Sequence, residues 1–511
     1  MQIKPNDGNL ANIVIFRQAE RYSDKTALLI DEKQFSYRDI ADITILYANF
    51  LSQLGVQKGD KVLIAMPDSL GFVGAFFGIL SIGAIAVPMA QGGNVKEAQH
   101  IVNNTNCTLA LVDLSCGIRA LDKCPVHIID SESTNPFTTS TIKFKPTQSE
   151  PQDLAYILFS SGSTGPVKGI PHRHIDLLHC AESYADTVLK YHQDDVILCV
   201  PKLSFGYALG CNLVFSLLAG AASILIESIP TREVLQNAAQ INLPTVFIGQ
   251  PRNLVSLIET GPNDVFRKLR LVVVAGEKLS PALVQRFNDV FPEVPLLDGY
   301  GTTEANAIFI SNTVEESRLR SLGKPLPGYE VKLLRPTDQS QAQENEIGEL
   351  WFKGPSACLE YWNDAETTAD RIHDGWIRTG DLFTRDSDGY YFLHGREDDM
   401  LKVGCGDWIN PTSIEDVIQK VDKIEECAVV GHLDGDGVIQ LKAFILLVAG
   451  ARQTRSIRDE ILDAVKESFS TKPSHHIQVV EFVSSFPRTS TGKLHRKNLN
   501  SHTQLEFAYQ C

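Results

Sequence analysis

Basic residues are in deficit. Against 62 Asp and Glu stand 47 Lys and Arg, a formal net charge of -15. That balance disfavours a broad surface for nucleic-acid phosphates, and no nucleic-acid partner is expected. Cysteine is present but unpatterned: the thiols at 107, 116, 124, 180, 199, 211, 358, 405, 427 and 511 form no CxxC pair and no His/Cys metal spacing. This argues against a zinc site or a disulfide framework and leads to the expectation of a reduced, cytoplasmic protein. The N-terminal stretch lacks the basic start and apolar core of a secretory signal. Internal repeats and low-complexity tracts are missing as well. Long apolar runs reduce to one, residues 71–90, which carry no charged side chain. Twenty such positions can cross a bilayer. This run, however, holds four glycines, ends in Val-Pro-Met-Ala and has no flanking basic anchor. It reads as a buried helix over 71–81 that breaks at Gly83 into a short buried strand over 84–87, so no stable membrane insertion is expected.

What is present describes a folded protein of more than one domain. The chain has 511 residues, 43% hydrophobic and 21% charged, too long for one ordinary core and too apolar for disorder. From residue 25 to about 285, short Val/Ile/Leu runs alternate with longer amphipathic segments, the pattern of parallel sheets covered by helices. Strands are expected over 61–65, 108–112, 196–200, 222–226, 245–248 and 270–275, and helices over 36–54 and 280–290. After Pro327 the segments shorten and alternate, as in 331–334 and 348–352, which suggests an antiparallel sheet. A dense polar and glycine stretch, Gly395-Arg-Glu-Asp-Asp-Met-Leu-Lys-Val-Gly-Cys-Gly406, marks a junction. The expected fold class is α/β: a large N-terminal domain of stacked α/β sheets with a small β subdomain (1–396), then a small mobile α/β domain (397–511). In the latter, helices are expected near 411–421 and 457–468 and strands over 426–430 and 442–448.

Four polar motifs carry chemistry. Ser160-Ser-Gly-Ser-Thr-Gly-Pro-Val-Lys-Gly169 follows the apolar run 154–159. Its glycines allow close backbone approach to oxygens, its hydroxyls donate hydrogen bonds, and Lys168 adds a cation, which together suit a phosphate-cradling loop; a Ser/Gly linker has a similar composition. Lys168 is followed by Gly169 rather than Ser or Thr, which disfavours a Walker-type loop. Asp298-Gly-Tyr-Gly-Thr-Thr-Glu304 follows the apolar stretch 294–297. In Arg378-Thr-Gly-Asp-Leu382, Asp381 offers two acceptor oxygens to a diol. Pro487-Arg-Thr-Ser-Thr-Gly-Lys-Leu-His-Arg496 offers Lys493 from a loop. Each alone also reads as an ordinary turn or solvated loop.

Taken in this order, and with Gly395-Arg396, the motifs resemble the adenylate-forming superfamily of acyl-CoA ligases, luciferases and peptide-synthetase adenylation domains, over essentially the whole chain. Pro201-Lys-Leu-Ser-Phe-Gly-Tyr-Ala-Leu-Gly210, Asp399-Met-Leu-Lys-Val-Gly404 and Trp408-Ile-Asn-Pro411 look most like its benzoate-CoA ligase branch. The resemblance implies an acid–thiol ligase: ATP and a small carboxylic acid give acyl-AMP and pyrophosphate, and a thiol, coenzyme A or a carrier-protein phosphopantetheine, displaces AMP. It implies that Lys493 is the catalytic cation, with Glu304 and Thr303 also catalytic and Glu304 holding Mg²⁺. By the same resemblance, nucleotide contacts fall on Ser160, Ser161, Gly162, Ser163, Thr164, Gly165, Lys168, Gly276, Glu277, Asp298, Gly299, Tyr300, Asp381, Arg396 and Lys402. The acid falls among Phe205, Tyr207, Gly249, Ala275, Gly301 and Thr302, whose two aromatic rings suit a flat aryl acid. Gly404, Gly406 and Trp408 would line the thiol path, and Asp398 would be the hinge about which the small domain turns between half-reactions.

Two departures stand out. The family's phosphate loop commonly has Pro directly before its lysine, whereas here Pro166 precedes Val167. The 404–411 loop is one residue longer than in typical benzoate-CoA ligases. No Asp or Lys in the acid set is placed to pair with an α-amino group, which favours a simple acid over an amino acid. Two other readings stay open: loading of a carrier protein in natural-product assembly, and a nucleotide- or acyl-adenylate-binding protein without turnover. The assembly state is open too, with a homodimer as one option.

Overall fold

The computed structural model describes residues 8–90, 92–133, 144–160, 167–228, 230–262, 265–403, 407–433, 439–448, 450–488, 494–499 and 509–510. Packing divides the chain into two compact units. The first comprises residues 1–279, 286–331 and 352–377; the second comprises 280–285, 332–351 and 378–511.

Two sheets build the first unit. The smaller runs in the order Val126–Ile129, Leu109–Asp113, Lys61–Ala65, Ile85–Pro88, Leu154–Ser160 and Lys168–Arg173. All its neighbours are parallel except the last pair, where Ser160 stands opposite Lys168 in an antiparallel hairpin. The expected phosphate loop is therefore shorter than its motif: Ser160 ends one strand, and Lys168 and Gly169 open the next. Pro171 is tolerated in that returning strand because it lies at the sheet edge, where a missing N–H breaks no ladder. Residues 161–166 lie outside the described set.

The larger sheet has the order Lys324–Pro325, Ile308–Ser311, Leu296–Gly301, Leu271–Ala275, Val246–Gly249, Val196–Cys199, Ala222–Leu225, Thr26–Ile30, Lys33–Ser36. Its central six strands are parallel and its two edges antiparallel, so the expected parallel sheet is bordered by hairpins. Strands such as Leu271–Ala275 are buried at every position, which explains their unbroken apolar sequence. The uncharged run forms the helix Leu70–Ser81, buried throughout, followed by the buried strand Ile85–Pro88. Gly74 and Gly78 let it approach the helix Tyr37–Gln53, since a Cβ at either would come within 2.7 Å of Tyr47. No helix among the described residues is long and apolar enough to cross a membrane. All eight described cysteines are free.

His174 ties the N-terminal segment to the smaller sheet. It is 1% exposed, and its Nδ1 accepts the Leu10 N–H at 3.2 Å. Burial pulls its pKa from 6.5 to about 4. Above pH 6.5 the ring is neutral both folded and unfolded. Below it, the unfolded chain takes up a proton that the folded one refuses until about pH 4, so stability falls as pH drops through that window. The loss amounts to roughly 3 kcal/mol at its limit. His174→Asn keeps an acceptor and removes the proton site; urea unfolding at pH 7.5 and 5 is expected to show a smaller acid loss than in the parent.

The strand Trp376–Arg385 enters the second unit at Arg378 and pairs there antiparallel with Tyr391–Arg396 over residues 381–385. The C-terminal sheet runs Ile424–Leu433, Ile439–Leu447, Val479–Phe482, Tyr509–Gln510. The helices Pro411–Ile418 and Arg455–Ser468 cover one face with Ile414, Ile418, Ile461 and Val465 against Val429, Ala443 and Val480. On the other face, alternating Ala428, Val430 and Phe444 pack with Phe486 and Leu499, the period-2 pattern of a two-sided strand.

Candidate active site

Lys168 leaves the hairpin to hydrogen-bond Thr367 Oγ1. It ion-pairs Asp364 at 3.4 Å and lies 6.0 Å from the centre of the Tyr361 ring. Asp364 caps the helix Ala365–Arg371, accepting from the Thr367 N–H and hydroxyl at 2.9 and 2.6 Å. The Thr367 hydroxyl, then its N–H and Lys168, hold the Asp364 carboxyl below the usual range against a partial burial penalty. A half-exposed pair of this kind is worth about 0–1 kcal/mol, weak enough for an arriving anion to displace.

Across Tyr361 from Lys168 stands Glu304, whose Oε1 accepts the Tyr361 hydroxyl at 2.8 Å. Burial, and then that carboxylate, push the Tyr361 phenol upward. Glu304 sits in a single 3₁₀ turn, Thr303–Ala305, where the strand Leu296–Gly301 ends; Thr302 caps it, its Oγ1 accepting from Ala305 N at 3.3 Å. Every carbonyl of the turn has a donor. His172 Nε2 reaches Thr303 O at 2.9 Å, Cys358 N reaches Glu304 O at 2.8 Å, and Ser356 Oγ reaches Ala305 O at 2.6 Å. Gly301 is required by space, because a Cβ there would lie 2.3 Å from Ala307 O.

Gly249, Ala275 and Gly301 end three neighbouring parallel strands at their carboxyl ends, with Gly249 opposite Val274 and Ala275 opposite Gly299. Phe205 precedes the short helix Gly206–Ala208, which carries Tyr207. Gly206 allows this segment to touch Asn306, since a Cβ would come within 2.2 Å of Asn306 O. The aromatic pair is thus brought beside the turn that bears Glu304. The hydroxyls of Tyr207 and Tyr184 and Asp298 Oδ1 are buried without a hydrogen-bond partner among the described residues, and burial raises all three groups. Tyr300 meets Phe309 edge-on at 5.4 Å. Gly276, before Glu277, adopts φ +94°.

In the second unit, Asp381 and Arg396 stand opposite one another, 3.8 Å apart from Oδ1 to Nε. Arg378 donates through Nε to both oxygens of the fully buried Glu349, at 2.7 and 2.9 Å. Its Nη2 reaches Glu397 at 2.7 Å. Asp398 is the middle residue of the 3₁₀ turn Glu397–Asp399. Asp399 lies 3.7 Å from Arg496, which also clasps Glu415 at 2.8 Å. Lys402 stands opposite Trp408 in the small hairpin Leu401–Val403/Asp407–Ile409, where only the backbone of these two is described. Ser161, Gly162, Ser163, Thr164, Gly165, Gly404, Gly406 and Lys493 lie outside the described residues.

Tyr361, Asp364 and His172 were not singled out from the sequence. Each acts through a partner more than fifty residues away, Asp364 through Lys168 in addition to its local cap on Thr367. The donor set around Glu304 suits a hard cation: a lone carboxylate with one oxygen bonded to Tyr361 can hold Mg²⁺ together with phosphates. Among the described residues no cluster of three His, Cys, Asp or Glu exists for an all-protein metal cage.

A profile of the AMP-binding enzyme family matches residues 15–362, and one of the AMP-binding enzyme C-terminal domain matches residues 413–493. The chain belongs to the AMP-binding enzyme family. It is 31% identical to a benzoate–CoA ligase of Thauera aromatica, over 93% of this chain and 92% of that one. A p-hydroxybenzoic acid–AMP ligase of Mycobacterium tuberculosis is 30% identical, over 97% of this chain and 69% of that one. Among solved structures, an anthranilate CoA ligase in complex with anthranoyl-AMP superposes with a TM-score of 0.89 at 31% identity, covering 98% of both chains.

Proposed function

We propose that the protein activates an aryl carboxylic acid with ATP and passes it to coenzyme A, giving a thioester, AMP and pyrophosphate. The observation that carries the proposal is the Lys168–Tyr361–Glu304 arrangement beside three converging strand ends, in a chain whose relatives are named for benzoate, p-hydroxybenzoate and anthranilate. A carboxylate oxygen of the acid attacks the α-phosphorus, the bond to pyrophosphate breaks, and acyl-AMP forms. The thiol sulfur then adds to the acyl carbonyl, its proton goes to solvent, and AMP leaves.

Little covalent work falls to the protein in the first step, so its groups position the reactants and stabilise charge. Ser160 to Lys168 take the departing phosphates; Asp381 and Arg396 take the ribose; Gly276, Glu277 and Asp298 to Tyr300 surround the base; Lys402 adds a further nucleotide contact. Thr303 and Lys493 face the α-phosphate. Glu304 would hold Mg²⁺, which would supply positive charge to the phosphates. Phe205 and Tyr207 flank the acid ring, with Gly249, Ala275, Gly301 and Thr302 giving it room. Gly404, Gly406 and Trp408 serve the thiol, and Asp398 is the hinge between half-reactions. The free thiols suit a cytoplasmic setting.

A panel of benzoate, hydroxybenzoates and aminobenzoates in pyrophosphate exchange, followed by addition of coenzyme A, tests the reading. Exchange with at least one aryl acid and a CoA thioester product is expected; exchange with none sinks it. One relative is named as an acid–AMP ligase, without coenzyme A in its name, and in a second reading the acyl group goes to a carrier-bound thiol. Acylated carrier protein without any CoA thioester would select it.

A further inference from the structure

Below the Glu304 turn lies a buried ionic network that none of the motifs predicted. At its centre is Asp176, 0% exposed. One arm is His172, also 0% exposed, whose Nε2 contacts Thr303 O at 2.9 Å and whose Nδ1 lies 3.5 Å from Asp176 Oδ2 without a hydrogen bond among the described residues. A carbonyl only accepts, so Nε2 carries the hydrogen and donates. The other arm runs through Arg173. Its backbone N–H and Nε donate to Asp176 at 2.8 and 2.9 Å, and its Nη2 holds Pro355 O at 2.7 Å. The next residue, Ser356, donates to Ala305 O at 2.6 Å. The arms therefore reach the carbonyls on either side of Glu304. Tyr156 closes the network, stacking on His172 at 5.3 Å and accepting from Asn306 Nδ2 at 2.7 Å.

We infer that His172, together with Arg173 held by Asp176, forms a two-armed clamp that positions Glu304 for the adenylation step. His172, Arg173 and Ser356 are positioning residues; none is assigned a contact with the reactants. A three-residue turn has too little internal bonding to hold a carboxylate in one place, and a displacement of about 1 Å at such a site costs on the order of 10²-fold in rate. The inference rests on the proposed role of Glu304.

The test compares His172→Phe, which keeps a ring against Tyr156 but has no donor, with His172→Gln, whose amide can donate to the same carbonyl. Amide hydrogen exchange across residues 303–306 and acid-dependent pyrophosphate exchange are read on both, with circular dichroism confirming the fold. His172→Phe is expected to speed amide exchange in this turn and to lower kcat about 10²-fold with the KM for the acid unchanged. His172→Gln is expected to restore both. Ser356→Ala, cutting the second arm, is expected to loosen the same amides and cost roughly tenfold in kcat, the scale of one hydrogen bond, and it serves if His172→Phe does not fold. Parent-like exchange and rate in His172→Phe or, where that fails to fold, in Ser356→Ala overturn the clamp. So does a folded His172→Gln as impaired as the Phe variant, which would mean that the ring acts by packing alone. Glu304→Gln separates the two levels: full activity there with loosened amides in His172→Phe leaves the clamp standing and removes the role of Glu304.

Discussion

Lys493→Ala is expected to lower acid-dependent pyrophosphate exchange by 10² to 10³-fold or more, the loss seen when a preorganised electrostatic group is taken from a developing oxyanion. In energy this is about 3–4 kcal/mol of barrier. The charge concerned builds on phosphate oxygens only as the carboxylate attacks, so the effect should fall on kcat, with the KM for ATP changed far less. Thioester formation from supplied aroyl-AMP and coenzyme A needs no such cation at phosphorus and should stay near the parent rate. Steady-state exchange and a single-turnover thiol assay on the same preparation separate the two. Adenylation at the parent rate would mean that another group carries the charge and that the mechanism proposed for the C-terminal motif is wrong.

Most of the inner parallel strands of the two large sheets were legible because each has a single, locally encoded reason, whereas the edge strands Lys33–Ser36, Val126–Ile129, Ile308–Ser311 and Lys324–Pro325 were not expected. Fully buried parallel strands must be apolar throughout, so Lys61–Ala65 and Leu271–Ala275 announce themselves. The helix Leu70–Ser81 could be told from a membrane span because Gly83 and Pro88 interrupt the run. Its counterpart, the returning strand Lys168–Arg173, was hidden by its own composition. A short segment with Gly169, Pro171 and three basic or imidazole side chains has no strand pattern, and only its edge position makes it a strand. The candidate site divides in the same way. Asp381 and Arg396 come from separate motifs and meet across one antiparallel pair. By contrast, the hydrogen bonds from Tyr361 to Glu304 and from His172 to Thr303 join residues 57 and 131 positions apart. No local spacing encodes such partners; they follow from sheet topology, which sets which carbonyl a buried donor meets.

Arg378 belongs to a chemical motif by sequence and to the framework by structure, and its replacement should show this. With Arg378→Met, the buried Glu349 loses both hydrogen bonds from the guanidinium, and Glu397 loses its donor beside Asp398. Removing one partner of a buried ion pair costs about 3–5 kcal/mol, because the remaining charge stays desolvated. The second unit should therefore unfold at clearly lower denaturant in Arg378→Met. Adding Glu349→Gln should return part of the loss, since the buried charge that lost the guanidinium is then gone, and a double-mutant cycle reads the coupling directly. A stability loss that Glu349→Gln does not relieve would place the cost in the Glu397 contact instead. If Asp398 is the hinge, that contact anchors the residue next to it, and Arg378→Met would then impair the passage from adenylation to thiol transfer more than adenylation itself, a difference that single-turnover measurements of each half-reaction would resolve.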